Sequence, residues 1–227
     1  MLLRALIATT LATVALAAPA AAATVDALKP CYASDGPAND QREMIRVHAA
    51  GFTPESVLDL YIEGQLVDSG IADEFGETRA SIPAPFQGRA GGGERPFTLA
   101  VVERDNPVNV ASTASRVTNL AVTLRPNPAK PSRRVRFRGR GFTKQAPVFA
   151  HYVFGGELQK TVRLVRRPIG DCGVFRVKRR QIPIRKARVG DWTLQIDQQR
   201  RWAERPASNM QRMTIKVRET FLKPSGA

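Results

Sequence analysis

One pattern occurs twice in this chain, and that limits how it can fold more than any other feature of the sequence. The segment from Ile45 to Thr53, IRVHAAGFT, returns from Val135 to Thr143 as VRFRGRGFT. Later landmarks keep their order in both copies. Tyr61-Ile62 before Gly64 corresponds to Tyr152-Val153 before Gly155-Gly156, and the turn Asp73 to Gly76 to the turn Asp171 to Gly173. Ile82-Pro83 is matched with Ile182-Pro183, Phe97 to Val101 with Trp192 to Ile196, and Ser115 to Thr123 with Asn209 to Val217. Ordered self-similarity of this kind marks two units of one architecture.

Each copy reads as short strands. Val135, Phe137 and Gly139 alternate with Arg134, Arg136, Arg138 and Arg140, and Met213, Ile215 and Val217 alternate with Arg212, Thr214 and Lys216. A period of two puts the apolar set on one face of a strand. Segments 57–62, 97–103, 148–154, 160–166 and 174–180 are β-branched or aromatic-rich and bounded by Gly, Pro or Asp. Beyond the N-terminus no segment shows a sustained helical period. About seven strands per unit with frequent turn signals predict an antiparallel sandwich. The Pro-rich run from Arg125 to Pro131 is stiff and unsuited to a central strand, so it is expected to link the units. The boundaries are then 24–124 for the first unit, 125–131 for the linker and 132–227 for the second. A single larger barrel is the alternative.

Gly51-Phe52-Thr53-Pro54 and Gly141-Phe142-Thr143 after the first strand, the Asp-to-Gly hairpins and the late strands at Phe97 and Trp192 resemble the tandem bacterial immunoglobulin-like modules of exported envelope proteins, the IPT-like group among them. The resemblance covers almost all of the chain after its N-terminal segment. It implies an all-β protein of two tandem immunoglobulin-like antiparallel sandwiches. It also implies adhesion, spacing or polymer contact, with no shared catalytic residues. Neither copy has the internal Cys pair flanking a Trp that marks antibody domains.

The N-terminus reads as a signal for export. Met1 to Arg4 carries a positive charge, Ala5 to Ala18 is apolar or small throughout, and Ala20 to Ala23 offers small residues for cleavage. The apolar stretch is shorter than the ~20 residues that span a bilayer. Residues 1–23 are therefore expected to be a cleaved signal peptide, with an uncleaved anchor helix as the alternative. The mature protein is expected to be secreted or associated with the cell envelope, with no transmembrane segment. The two cysteines, Cys31 and Cys172, are a disulfide candidate in an oxidising compartment. Two free thiols or an intermolecular bridge are the alternatives, because pairing requires Cα atoms within roughly 7 Å.

Lys and Arg total 35 against 20 Asp and Glu, a net charge of +15. Residues 24–124 hold 8 Lys and Arg against 14 Asp and Glu, a net of −6, whereas residues 125–227 hold 26 against 6, a net of +20. Arg134, Arg136, Arg138 and Arg140 share one strand face, about 6.6 Å apart at ~3.3 Å rise per residue. Lys178, Arg179 and Arg180, then Arg185, Lys186 and Arg188, follow a second strand, and Arg163, Arg166 and Arg167 a third. If these rows adjoin on one sheet they form a positive plateau, which holds polyanions through many salt-sensitive contacts. The expected partner is an anionic envelope polymer or polysaccharide, bound by the residues from Arg134 to Arg188 just named on the first two rows. A protein partner is the alternative, with the cations merely solvating outer faces. Arg outnumbers Lys 27 to 8, a skew common in GC-rich bacterial genomes, so each single Arg carries less weight. No specific nucleic-acid target is expected, since no recognition helix or stacking-aromatic motif occurs.

Nothing in the sequence assembles a reaction centre. There is no nucleophile elbow and no phosphate-binding Gly-Lys-Ser/Thr loop. The Gly-rich stretch from Arg89 to Glu94 has no helix after it. His48 and His151 lie on strands of different copies, without metal-ligand spacing. Asp59, Glu63, Asp73 and Glu74 read as solvated surface carboxylates, and Phe52, Phe142, Phe97 and Trp192 as packing. Trp202, among Arg200, Arg201 and Arg205, reads as either a contact point or a cover for the sandwich end. The chain is expected not to be an enzyme, with no catalytic residue, no metal and no cofactor.

Overall fold

The computed structural model describes residues 22–88, 93–127, 129–204 and 210–218. The expected signal segment lies outside these except for Ala22 and Ala23, as do Arg89 to Gly92 of the Gly-rich loop. The described chain is strand and loop, apart from one 3-10 turn at Asn39–Gln41.

The first unit consists of β1 (Thr24–Val25), β2 (Tyr32–Ala33), β3 (Met44–Ala50), β4 (Val57–Ile62), β5 (Gln65–Ile71), β6 (Thr78–Pro83), β7 (Glu94–Glu103) and β8 (Asn106–Thr118). A three-stranded sheet β1-β3-β6 faces a five-stranded sheet β2-β8-β7-β4-β5. The second unit consists of β9 (Ala121–Arg125), β10 (Arg134–Arg140), β11 (Val148–Phe154), β12 (Glu157–Val165), β13 (Phe175–Arg180), β14 (Gly190–Asp197) and β15 (Gln211–Val217). Its sheets, β9-β10-β13 and β12-β11-β14-β15, repeat the strand order of the first unit. All pairs are antiparallel except β2 with β8. Two small-on-large sandwiches of this order are immunoglobulin-like.

Each sandwich has its own core. The first contains Ile45, Val47, Leu58, Leu60, Ile62, Phe97, Leu99 and Val101, with Tyr32 edge-on to Phe97. The second contains Val135, Phe137, Ala150, Tyr152, Trp192, Leu194 and Ile196, with Phe142 against Phe175. Alternation on β3 and β10 does what a period of two requires: Ile45, Val47 and Ala49, and Val135, Phe137 and Gly139, all point inward and are buried.

The recurring Gly-Phe-Thr and Asp-to-Gly landmarks form one clamp, built twice. Gly51 and Gly141 have φ of +84° and +83°, a conformation that favours Gly, and turn the chain so that Phe52 and Phe142 enter the cores. The Phe52 amide donates to the Gly76 carbonyl at 3.2 Å, and the Phe142 amide to the Gly173 carbonyl at 3.3 Å. A Cβ on Gly76 would lie 2.1 Å from the Phe52 carbonyl oxygen, and one on Gly173 2.0 Å from that of Phe142. Backbone contact this close tolerates no side chain, which is why both hairpins carry Gly at that point.

Three of the matched landmarks and one boundary differ from what the sequence predicts. Ile62, opposite Leu99, corresponds by register to Tyr152, opposite Leu194, so the Tyr61–Tyr152 match is out by one residue. Ala121–Arg125 pairs with β10, so this strand opens the second unit's small sheet rather than closing the first unit, and the sheets change hands at Asn119-Leu120. Ser115 sits opposite Phe97 as Ile215 sits opposite Trp192, which sets a different register from the Ser115–Asn209 match. Ile82 lies opposite Ile45 in β3, and the residue at that place opposite Val135 is Arg179, not Ile182. Apolar strands show the same period wherever they pair, so the sequence could not fix these registers.

The units are joined covalently. Cys31, just before β2, is bonded to Cys172 in the second unit's clamp hairpin, with Cα atoms 5.1 Å apart across 141 residues of sequence. Beside it Lys29 is ion-paired with Glu43 and donates to Thr143 Oγ1 at 2.9 Å, and Thr143 Oγ1 donates to Glu43 Oε2 at 2.9 Å.

Candidate anion-binding face

β10 is the middle strand of its sheet, and residues directly opposed across a ladder share a face. Arg134 lies opposite Arg180, Arg136 between Arg125 and Lys178, and Arg138 between Thr123 and Arg176, while Arg140 lies opposite Ala121. The outward side of β9-β10-β13 therefore carries Arg125, Arg134, Arg136, Arg138, Arg140, Arg176, Lys178 and Arg180. Arg140 is half-buried and the others are exposed. Strands sit about 4.8 Å apart and same-face residues about 6.6 Å apart along each strand. Among the described residues none of the eight has a carboxylate within ion-pairing distance. The field is strong enough that repulsion from Arg136, then Arg138, lowers the pKa of Arg176 below the ordinary arginine value.

The inner side of this sheet fixes the outer one. Val135, Phe137 and Phe175 are fully buried, and the Phe175 ring lies where a Cβ on Gly139 would stand, 2.2 Å from its Cε1. Gly139 keeps the strand flush with the ring, so that Arg138 and Arg140 remain in line with Arg134 and Arg136. At the Arg140 end the face runs into a cleft of about 650 Å³ between the units, lined by Glu94, Thr118, Arg138, Arg140, Phe175 and Arg176. Glu94 is itself paired with Arg116 at 3.4 Å.

The other expected cations do not join this face. Arg179 is opposite Val135, on the sheet's inner side, and donates to the Lys178 and Leu164 carbonyls. Three consecutive residues of a strand cannot share a side. Arg185, Lys186 and Arg188 lie in the loop between β13 and β14. Arg188 stacks its guanidinium 4.4 Å from the Phe154 ring centroid, and its backbone carbonyl accepts from Trp192 Nε1 at 2.9 Å. Arg163, opposite Phe149, belongs to the large sheet, so the third row is on a different face of the sandwich. Conversely, Arg125 and Arg176 were not singled out by the sequence reading. Arg176 could have been, since it is two residues from Lys178 in an alternating strand.

The titratable groups elsewhere are structural. His151 is fully buried on the outer side of the large sheet, because residues 198–204 fold over it. Its Nε2 lies 3.2 Å from Asp197 Oδ1 and 3.1 Å from the Gln199 carbonyl, two acceptors, so Nε2 carries the proton. Nδ1 lies 2.9 Å from Thr161 Oγ1. Burial alone would raise the Asp197 pKa, but bonds from His151, Gln195 and the Gln199 amide outweigh it and hold the carboxyl below its ordinary value. Gln195 Nε2 reaches the Ala203 carbonyl, and Trp202 in the same loop is half-buried. Asp59, read from sequence as a solvated carboxylate, is only 7% exposed and receives Arg104 Nε and Nη2 at 3.1 and 2.7 Å. Among the described residues there is no cluster of three or more His, Cys, Asp or Glu placed to hold a metal. No helix among them is long and apolar enough to cross a membrane.

No protein-family model matches the sequence, and no curated protein matches it. Solved structures give distant likenesses. The ligand-binding domain of human OSCAR matches at 10% identity over 88% of this chain and 100% of that one, with a TM-score of 0.34. The eight N-terminal immunoglobulin domains of Down syndrome cell adhesion molecule match at 10% identity over 87% of this chain and 27% of that one, with a TM-score of 0.30. A tetra-tandem repeat from the extending region of a large adhesion protein matches at 14% identity over 86% and 50% of the two chains, with a TM-score of 0.27. The immunoglobulin-like assignment rests on the strand order of the two sandwiches and their separate cores.

Proposed function

We propose that this chain is a non-catalytic binding protein of the exported cell envelope. In this reading the second unit holds an anionic polymer against β9-β10-β13, while the first unit spaces or supports it. The observation that carries the reading is the eight-cation face without acidic partners. Unneutralised guanidinium groups at a regular spacing suit repeated phosphate or carboxylate groups, each contact weak and the sum strong. The disulfide and the Lys29–Glu43–Thr143 contacts support it by holding the basic unit fixed on its neighbour.

The test is co-sedimentation of the mature protein with isolated bacterial cell wall. Wild type is expected to pellet at low salt, and Arg134→Glu, Arg136→Glu, Arg138→Glu and Arg140→Glu combined to stay in solution with an unchanged circular dichroism spectrum. Equal pelleting of the two would refute the reading. The second reading, a protein-binding module whose charges aid solubility, is favoured by one observation. The edge strand β5 exposes Leu66, Val67 and Ile71 at 55%, 42% and 67%. A protein partner on that edge would be retained in high salt and be indifferent to the β10 reversal.

A further inference from the structure

In the second unit the two sheets part between β12 and β13, leaving a cavity of about 430 Å³ lined by Ser132, Arg134, Tyr152, Arg179 and Arg180, with Val162 and Pro183 as its apolar wall. The pairing registers identify the same place in the first unit. Ile62 is opposite Leu99 as Tyr152 is opposite Leu194. Ile82 is opposite Ile45 as Arg179 is opposite Val135, and Met44 and Pro83 pair as Arg134 and Arg180 do. The first unit fills the spot with apolar core, Ile62 and Ile82 being 5% and 2% exposed. At the two places of these core isoleucines the second unit has a buried phenol, Tyr152, and an exposed guanidinium, Arg179, which lies at the rim of the charged cavity.

Packing does not account for that exchange. Tyr152 is 1% exposed and its hydroxyl has no hydrogen-bond partner. A buried hydroxyl left unpaired is costly and rare, so its retention points to a group that fills the need. Burial pushes its pKa far above the ordinary phenol value, so at neutral pH it is a donor. Arg179 is held at the mouth by its bonds to the Lys178 and Leu164 carbonyls, which use two of its five N–H groups. Among the described residues no carboxylate lines the cavity. We propose that this cavity binds a phosphate monoester carried on a sugar- or polyol-sized molecule. Arg134, Arg179 and Arg180 match the two charges of the phosphoryl group better than the single charge of a carboxylate. Tyr152 and Ser132 supply further donors, and Val162 and Pro183 lie against the organic part. The volume falls within the ~300–1,000 Å³ of small-molecule sites. The site shares Arg134 and Arg180 with the plateau but does not depend on polymer binding there.

The probe is glucose 6-phosphate, titrated calorimetrically into the mature, disulfide-bonded protein, with glucuronate and glucose as controls. One-to-one saturable binding is expected, at least tenfold tighter than glucuronate. Tyr152→Phe is expected to weaken it about tenfold without lowering the melting temperature, because the hydroxyl it removes has no partner. Arg179→Ile, which installs the first unit's residue, is expected to abolish it. Arg136→Glu with Arg138→Glu should leave this titration intact while cell-wall retention falls, which separates failure of the site from failure of the plateau. Competition by a phosphate-terminated oligosaccharide would place the monoester at a chain end, and its absence would place it on a free small molecule. Unchanged affinity in Tyr152→Phe, or glucuronate binding as tightly as glucose 6-phosphate, would overturn the proposal.

Discussion

On the outward side of β3 the first unit carries Met44, Arg46, His48 and Ala50; at the same four places on β10 the second carries Arg134, Arg136, Arg138 and Arg140. The inward residues of both strands are apolar, and the clamps around Phe52 and Phe142 share the same amide-to-carbonyl hydrogen bond, at 3.2 and 3.3 Å. The duplicated scaffold has thus kept what packing dictates and changed what packing leaves free. The large sheets differ in another way. A two-residue turn joins β7 to β8, leaving Tyr61, Ala100 and Val102 half-buried, whereas residues 198–210 join β14 to β15, and the described part of that loop covers His151, Gln195 and Asp197. A covered face needs its polar groups paired internally, and the second unit does so through the His151–Asp197–Gln195 network.

Removing the bond between the units should have the largest effect on stability. Cys31→Ser with Cys172→Ser is expected to cost about 2–5 kcal/mol in chemical denaturation, since the bond closes a long loop. The comparison would weaken if the cost were near zero. Gly76→Ala and Gly173→Ala come next, each expected to cost at least about 2 kcal/mol, because both need positive φ and a Cβ would strike backbone. Similar losses at the two sites would confirm that the clamp is one device used twice. A tolerated substitution at either would break the equivalence.

These clamps were visible in the sequence because Gly, Phe and the Asp-to-Gly turn are rigid requirements of a backbone path. The arginines of β10 were visible for a similar reason, since alternation assigns side chains to faces without reference to partners. What needed the structure was the partner. Ala121 to Leu124 reads equally well as the last strand of one unit or the first of the next, and only its ladder with β10 decides. The disulfide depends on a distance across 141 residues. Tyr152 and Arg179 look unremarkable until register sets them against Ile62 and Ile82.

Smaller effects sharpen the contrast between the large sheets. Asp197→Asn should destabilise the second unit by about 1–3 kcal/mol, as it disturbs a fully buried network. Val102→Thr at the equivalent place in the first unit should cost under about 1 kcal/mol because Val102 is only half-buried. Equal losses would mean the loop over the second sheet does not set the difference.

The smallest effects concern pH, and they have opposite senses in the two units. Bonds from His48 to Asp26, then Glu77, raise the His48 pKa above 6.5. Its contribution is therefore complete below pH 6.5 and is lost as pH rises through the raised value. The Asp197 pKa lies below 3.8, so its contribution is complete above that pH and is lost as pH falls through the lowered value. Nuclear magnetic resonance titration of the His48 ring and the Asp197 carboxyl should show both displacements, and a His48 midpoint at or below 6.5 would remove the first.

The most direct measurement of the central claim is the affinity of the mature protein for a defined polyphosphate as a function of salt. If β9-β10-β13 neutralises at least four phosphates, the log–log slope should be steeper than about −2.5. The β10 reversal should bring it close to zero. A flat slope in wild type, or the same steep slope after the reversal, would contradict the account.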